Sequence, residues 1–113
     1  MHKCNIRKHR SLSEADYRLR AGIAQALGNA NRLKMLDALA GGEMCVCELV
    51  ELLACDQSTA SKHLALLRGA GLVDDRKEGP RVYYRLACPC LTGFFDCIEQ
   101  VVANRAEALR RLA

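Results

Sequence analysis

Two short motifs hold most of the thiol chemistry available to this chain, Cys45-Val46-Cys47 and Cys88-Pro89-Cys90. Thiolates are soft ligands that select thiophilic metals and metalloids. Each pair is expected at the start of a helix, where the dipole lowers a thiol pKa and favours the metal-binding form. The spacing of the first pair sets a constraint. Positions i and i+2 of an ideal helix point ~200° apart, so both sulfurs reach one ion only where the helix start is unwound or distorted. Binding at Cys45 and Cys47 is therefore expected to strain the helix that carries them. A plain packing role stands beside this one, because free cysteine is often a small buried residue. Cys55 and Cys97 suit the packing role better than ligation.

The total of seven cysteines is odd, whereas a disulfide framework wants an even count and an oxidising compartment. In a reducing compartment the same residues point to metal ligation, thiol sensing or burial. The start of the chain is basic and lacks the apolar h-region of a secretory signal, and no apolar run approaches the ~18 residues of a membrane span. A cytoplasmic protein is expected. The 113 residues suit one domain, and 50% hydrophobic with 27% charged residues suits a folded one. A net charge of +4 excludes a strongly acidic, solvating chain and is too small to establish a nucleic-acid partner. With 4% aromatics and no Trp, the core must come from Leu, Ala and Val, which suggests helices.

The elements that must position these residues follow from the apolar periodicity. Residues 1–12 carry Lys3, Arg7, Lys8 and Arg10 without an acid and are expected to form a basic arm. The domain proper spans 13–113. Ser13 is a plausible N-cap for a first helix ending at Gly28-Asn29, and a second covers about 30–40. A third helix is expected over about 44–53, then a turn through Ala54 to Gln57, and a fourth helix over about 58–70. The inner face of the fourth is Ala60, Leu64 and Leu67, and Gly71 suits its C-terminal cap. Residues 72–77 and 81–86 alternate around Glu78-Gly79-Pro80 and predict a two-stranded hairpin. A last helix covers about 89–112. The fold class is mainly α with a β-hairpin wing, a winged helix-turn-helix.

A helix that enters the major groove needs small polar and basic side chains near its N-terminal half. Ser58, Thr59, Ser61, Lys62 and His63 supply them. The hairpin adds Arg76, Lys77, Arg81 and Arg85, placed to fix register through phosphate or minor-groove contacts. A solvated helix face and hairpin would use the same residue types. It is the order of elements together with these residues that favours DNA. Enzyme chemistry is not expected, since there is no Cys-x-x-Cys pair in a βαβ context and no Gly-rich phosphate loop.

Four stretches together, Ala26 to Leu36, Glu43-Met44-Cys45-Val46-Cys47-Glu48-Leu49, Gln57 to Val73 and Arg76 to Leu86, resemble the ArsR/SmtB family of bacterial metalloregulatory repressors. The resemblance covers roughly Tyr17 to Leu86. It implies a homodimer formed through the first and last helices that binds double-stranded operator DNA and leaves it when an inducer binds. It also counts Gln57 among the DNA-reading residues. The Glu43–Leu49 stretch is similar to the inducer motif of the arsenite- and antimonite-responsive branch, and to that of the cadmium/lead-responsive branch.

The sequence departs from the arsenical pattern at Val50, where that branch can carry a third cysteine. The resemblance then leaves the third thiolate to Cys4 on the arm, or to Cys88 or Cys90. The family's zinc-type site uses imidazole on the last helix. The histidines here are His2, His9 and His63, so that type is disfavoured. As(III) or Sb(III) is the expected inducer, followed by Cd(II) or Pb(II). The alternative is a repressor of the same fold that senses oxidants or persulfides by pairing Cys47 with Cys88, Cys90 or Cys97.

Overall fold

The computed structural model describes residues 11–112. Their order is α1 (Glu14–Leu27), α2 (Ala30–Leu39), β1 (Met44–Cys45), α3 (Val46–Leu53), α4 (Gln57–Gly69), β2 (Val73–Glu78), β3 (Arg81–Leu86) and α5 (Leu91–Leu112). This is the winged helix-turn-helix that the sequence predicts. The basic arm falls almost wholly outside the described residues.

Local chemistry explains where the helices begin. Ser13 and Asp16 form a capping box at α1, with the Asp16 carboxylate accepting from the Ser13 N–H at 2.9 Å. Asn29 caps α2 by accepting from the Arg32 N–H at 3.1 Å. Asp56 does the same for α4, accepting from the Thr59 N–H at 2.7 Å. The Thr59 hydrogen bond holds the Asp56 carboxyl below its ordinary pKa. The end of α4 is a Schellman turn. Gly71 takes φ +79, its N–H donates to the Arg68 carbonyl, and the Leu72 N–H donates to that of Leu67.

The core lies between α2, α3, α4 and the sheet. Met35, Leu36, Leu49, Leu64 and Leu67 are fully buried there, with Ala60 and Val73 beside them. Each large apolar side chain so buried contributes roughly 1.5–3 kcal/mol. Ala60, Leu64 and Leu67 recur at spacings of four and three. They bring one face of α4 onto the core and turn the opposite face to solvent.

Two sequence expectations change. Met44 and Cys45 are strand rather than helix. They pair antiparallel with Tyr84 and Tyr83, so the wing is part of a three-stranded sheet ordered β1-β3-β2. A two-residue strand has no periodicity of its own, and pairing with a distant strand overrides the local helical pattern. The last helix starts at Leu91. Residues 88–90 form the turn before it, where the Leu91 N–H donates to the Cys88 carbonyl at 3.1 Å.

The outer helices have little to pack against. Ala26 is the buried residue of α1 and Leu91 that of α5. Along α5, Val101, Val102 and Leu109 are each at least 60% exposed.

Candidate nucleic-acid and inducer site

α4 presents Gln57, Ser58, Ser61 and Lys62 on its exposed face, in its N-terminal half. Thr59 is half-buried and engaged with Asp56. His63 differs from the expectation. It is half-buried and its Nδ1 lies 3.3 Å from Arg32 Nη1, so the ring faces α2. Arg32 also donates to the carbonyls of Ala26 at 2.7 Å and Gln25 at 3.2 Å. One guanidinium thus joins the end of α1 to α4. The sequence offers no local signal for this link, because Arg32 and His63 are 31 positions apart.

The wing narrows to a two-residue turn. Gly79 takes φ +59 and Pro80 follows it, and Glu78 pairs with Arg81 across the strands. Glycine at the first turn position suits the twist of a hairpin. The wing's cations divide into two groups. Arg76 is held by Glu43 through two hydrogen bonds, at 2.8 and 2.6 Å, and by Glu78 at 2.8 Å, and it lies over the Tyr83 ring. Arg68 pairs with Asp75, and Arg85 lies 3.9 Å from Asp74. Among the described residues, Lys62, Lys77 and Arg81 have no acidic partner.

Cys45 and Cys47 stand beside that surface. Cys45 is buried, with φ −81 and ψ 159, as the N-cap of α3 rather than a helical residue. Its N–H donates to the Glu48 carboxylate at 2.9 Å. Cys47 is exposed on the first turn. The two form a disulfide, with Cα atoms 5.3 Å apart. The extended conformation at Cys45 therefore puts both sulfurs on one side. The strain expected for an i, i+2 pair inside a helix does not arise, because only Cys47 is in the helix. The pair opens on a cleft of about 260 Å³ whose walls include Gln57, Ser61, Arg81 and Tyr84.

The other candidate ligands are not gathered here. Cys4 lies outside the described residues. Cys45 is opposite Tyr83, and Cys88 is five positions further along the chain, on the order of 15 Å away at a strand's rise per residue. The register sends Cys47 in the opposite direction, toward Arg81. Within one chain, Cys88 and Cys90 thus do not reach the first pair. The redox pairing of Cys47 with Cys88 or Cys90 gives way to the one with Cys45. Cys55 is half-buried against the core and Cys97 is exposed on α5. No group of three or more His, Cys, Asp or Glu side chains gathers as for a metal ion among the described residues.

A polar helix face docked on a compact three-helix core, with a paired strand wing beside it, defines a DNA-binding winged-helix regulator. Residues 29–75 match the family "Bacterial regulatory protein, arsR family". The chain belongs to this family. It is 40% identical over 84 residues to the HTH-type transcriptional regulator Rv0324 of Mycobacterium tuberculosis, covering 74% of this chain and 37% of that protein. It is 45% identical over 65 residues to the arsenic resistance transcriptional regulator ArsR1 of Pseudomonas putida, covering 57% of this chain and 51% of that one. The chain thus spans about a third of the length of the first of these relatives and about half of the second. Its fold matches the homodimeric winged helix-turn-helix DNA-binding domain of a Mycobacterium bovis protein with a TM-score of 0.74 at 33% identity. That match covers 88% of this chain and 95% of that one. These relatives are transcriptional regulators, not enzymes. No described helix is long and apolar enough to cross a membrane.

Proposed function

We propose that the chain is a homodimeric cytoplasmic repressor that leaves operator DNA when As(III) or Sb(III) binds Cys45 and Cys47. One observation carries the reading. The cysteine pair and the DNA-reading residues Gln57, Ser61 and Arg81 line the same cleft. A metalloid held by the two sulfurs, with the substituents it brings, occupies space that these three side chains need when they face DNA. An inducer with that preference for one arrangement shifts the protein away from its DNA-bound form. The similarity to an arsenic resistance regulator agrees with the donor set, since two sulfurs select thiophilic ions. Cd(II) or Pb(II) would take the same sulfurs. Cys4 on the arm is the proposed third thiolate.

The dimer is supported by α1 and α5, whose apolar side chains Ile23, Val101, Val102 and Leu109 lie exposed. Pairing them across a two-fold axis buries that surface and sets two copies of α4 one DNA turn, ~34 Å, apart. Gln57, Ser58, Thr59, Ser61 and Lys62 would then read the major groove, and Lys77 and Arg81 would hold phosphates. His63 contributes by fixing α4 against Arg32.

The test is fluorescence anisotropy of the reduced protein on its promoter DNA, titrated with arsenite and separately with cadmium. Release at stoichiometric arsenite is expected, with loss of release in Cys47→Ser and in the Cys45→Ser/Cys47→Ser double variant. Cys47 is exposed, so its substitution leaves the fold intact. Normal release by both variants overturns the assignment. The Cys45–Cys47 disulfide favours a second reading, a repressor switched by thiol oxidation. Derepression reversed by a reductant and not by a thiol-free chelator selects it.

A further inference from the structure

α1 and the C-terminal end of α4 flank an open groove of about 690 Å³. Leu19 and Ile23 of α1 and Leu66 of α4 give it apolar walls, and all three are exposed. Gly22 and Gly69 line the same groove, and a Cβ on either would meet no neighbouring atom within 4 Å. Glycine in a helix costs stability relative to alanine, and no close packing accounts for it at these two positions. Their effect is to keep the groove open. Two arginines complete the lining. Arg18 has no acidic partner among the described residues. Arg32 meets the Ala26 and Gln25 carbonyls and the His63 ring, none of them anionic, so its charge is uncompensated. No Asp or Glu stands among the described residues that line the groove.

From this geometry we infer that the groove between α1 and α4 binds a small amphipathic carboxylate, with its apolar chain on Leu19, Ile23 and Leu66 and its anion on the arginines. The volume lies within the range of small-molecule sites, roughly 300–1,000 Å³. From Arg18 to Ala26 the wall of α1 runs roughly 12 Å at the helical rise, a length for a medium alkyl chain. Laying such a chain on the three apolar side chains removes both surfaces from water. The planar guanidinium of Arg18 suits a carboxylate, which accepts two parallel N–H bonds from it. A neutral ligand would leave both cations uncompensated, and a polyanion would make no use of the apolar walls. The groove paired with its own copy would set the same arginines against each other. The site is separate from the Cys45 and Cys47 cleft, which lies by Gln57 and Ser61 at the other end of α4.

The test is titration calorimetry of the reduced full chain with octanoate, octan-1-ol and acetate. The wild type is expected to take about one octanoate per chain, about tenfold more tightly than octan-1-ol, and to show no heat with acetate. Gly22→Leu fills the groove from α1 with a better helix former and is expected to abolish octanoate binding. Gly69→Leu repeats this from the α4 wall. Arg18→Gln is expected to keep octan-1-ol binding and lose the preference for octanoate. No octanoate binding by the wild type, as when a second copy fills the groove, overturns the proposal. So does equal binding by the wild type and both leucine variants, or an unchanged octanoate preference in Arg18→Gln. The assay contains no DNA and no metalloid, so its outcome is independent of release at Cys45 and Cys47.

Discussion

Removing Lys77 should change how DNA affinity depends on salt, whereas removing the neighbouring Arg76 should not. Both lie on β2 and both are exposed. Arg76 is already neutralised by Glu43 and Glu78, but Lys77 has no acidic partner among the described residues. In the proposed dimer, Lys62, Lys77 and Arg81 on two protomers would meet about six phosphates, for a slope of about −5 in log K against log salt. Raising salt from 50 to 200 mM then costs about 10³-fold in affinity from these contacts. Lys77→Ala removes two contacts per dimer. The slope should fall by about 2, and the same salt step should cost about 10²-fold. Arg76→Ala should leave the slope within about half a unit of wild type. Fluorescence anisotropy with one operator duplex across that salt range measures all three. Equal slope changes for Lys77→Ala and Arg76→Ala would refute the division of the wing's cations by their ion pairs.

Two further outcomes are expected. Ala54 ends α3 with φ 50, a left-handed conformation costly for a residue with a Cβ. Ala54→Gly relieves that cost and adds freedom to the unfolded chain, for a net gain of about 0.5 kcal/mol. A lower urea midpoint in the variant would contradict this. The hydrogen bond from Arg76 holds the Glu43 carboxyl below its ordinary value of 4.5. Its contribution to stability is complete above that value and is lost as pH falls through the lower folded one. Glu43→Gln should flatten the fall of the urea midpoint below about pH 4.5, and an unchanged acid profile would count against the bridge.

Much of the fold was legible because it is local. Leu64 and Leu67 mark the inner face of α4, Gly71 marks its end, and the alternation around Gly79 and Pro80 marks the wing. The features that long-range pairing creates were hidden. Nothing near Met44 announces that Tyr84 lies opposite it, so β1 read as helix and the two sulfurs read as divergent. Once Cys45 is extended, the same spacing brings them together. His63 looked like a DNA-facing residue because its neighbours are polar, and only the distant Arg32 shows which way it turns. Asp56 was readable in principle, as an acid directly before a helical pattern. The thiol chemistry itself was plain from residue type. Which cysteines share a site was not, because the distance between the two pairs depends on the register of β1 on β3.

The sparse packing of α1 and α5 bears on how much of this protein a cell must hold. Ala26 and Leu91 are the fully buried residues of these helices, with Leu27, Phe94 and Phe95 half-buried against the core, so in the proposed dimer much of their ordering would depend on a second chain. Folding and assembly are then linked by mass action, and thermal stability should rise with protein concentration. At low copy number the population shifts toward single chains, each holding one α4 without its mate. Operator occupancy would then follow roughly the square of the chain concentration, which makes the expression level of the protein a control on repression beside any signal at its thiols.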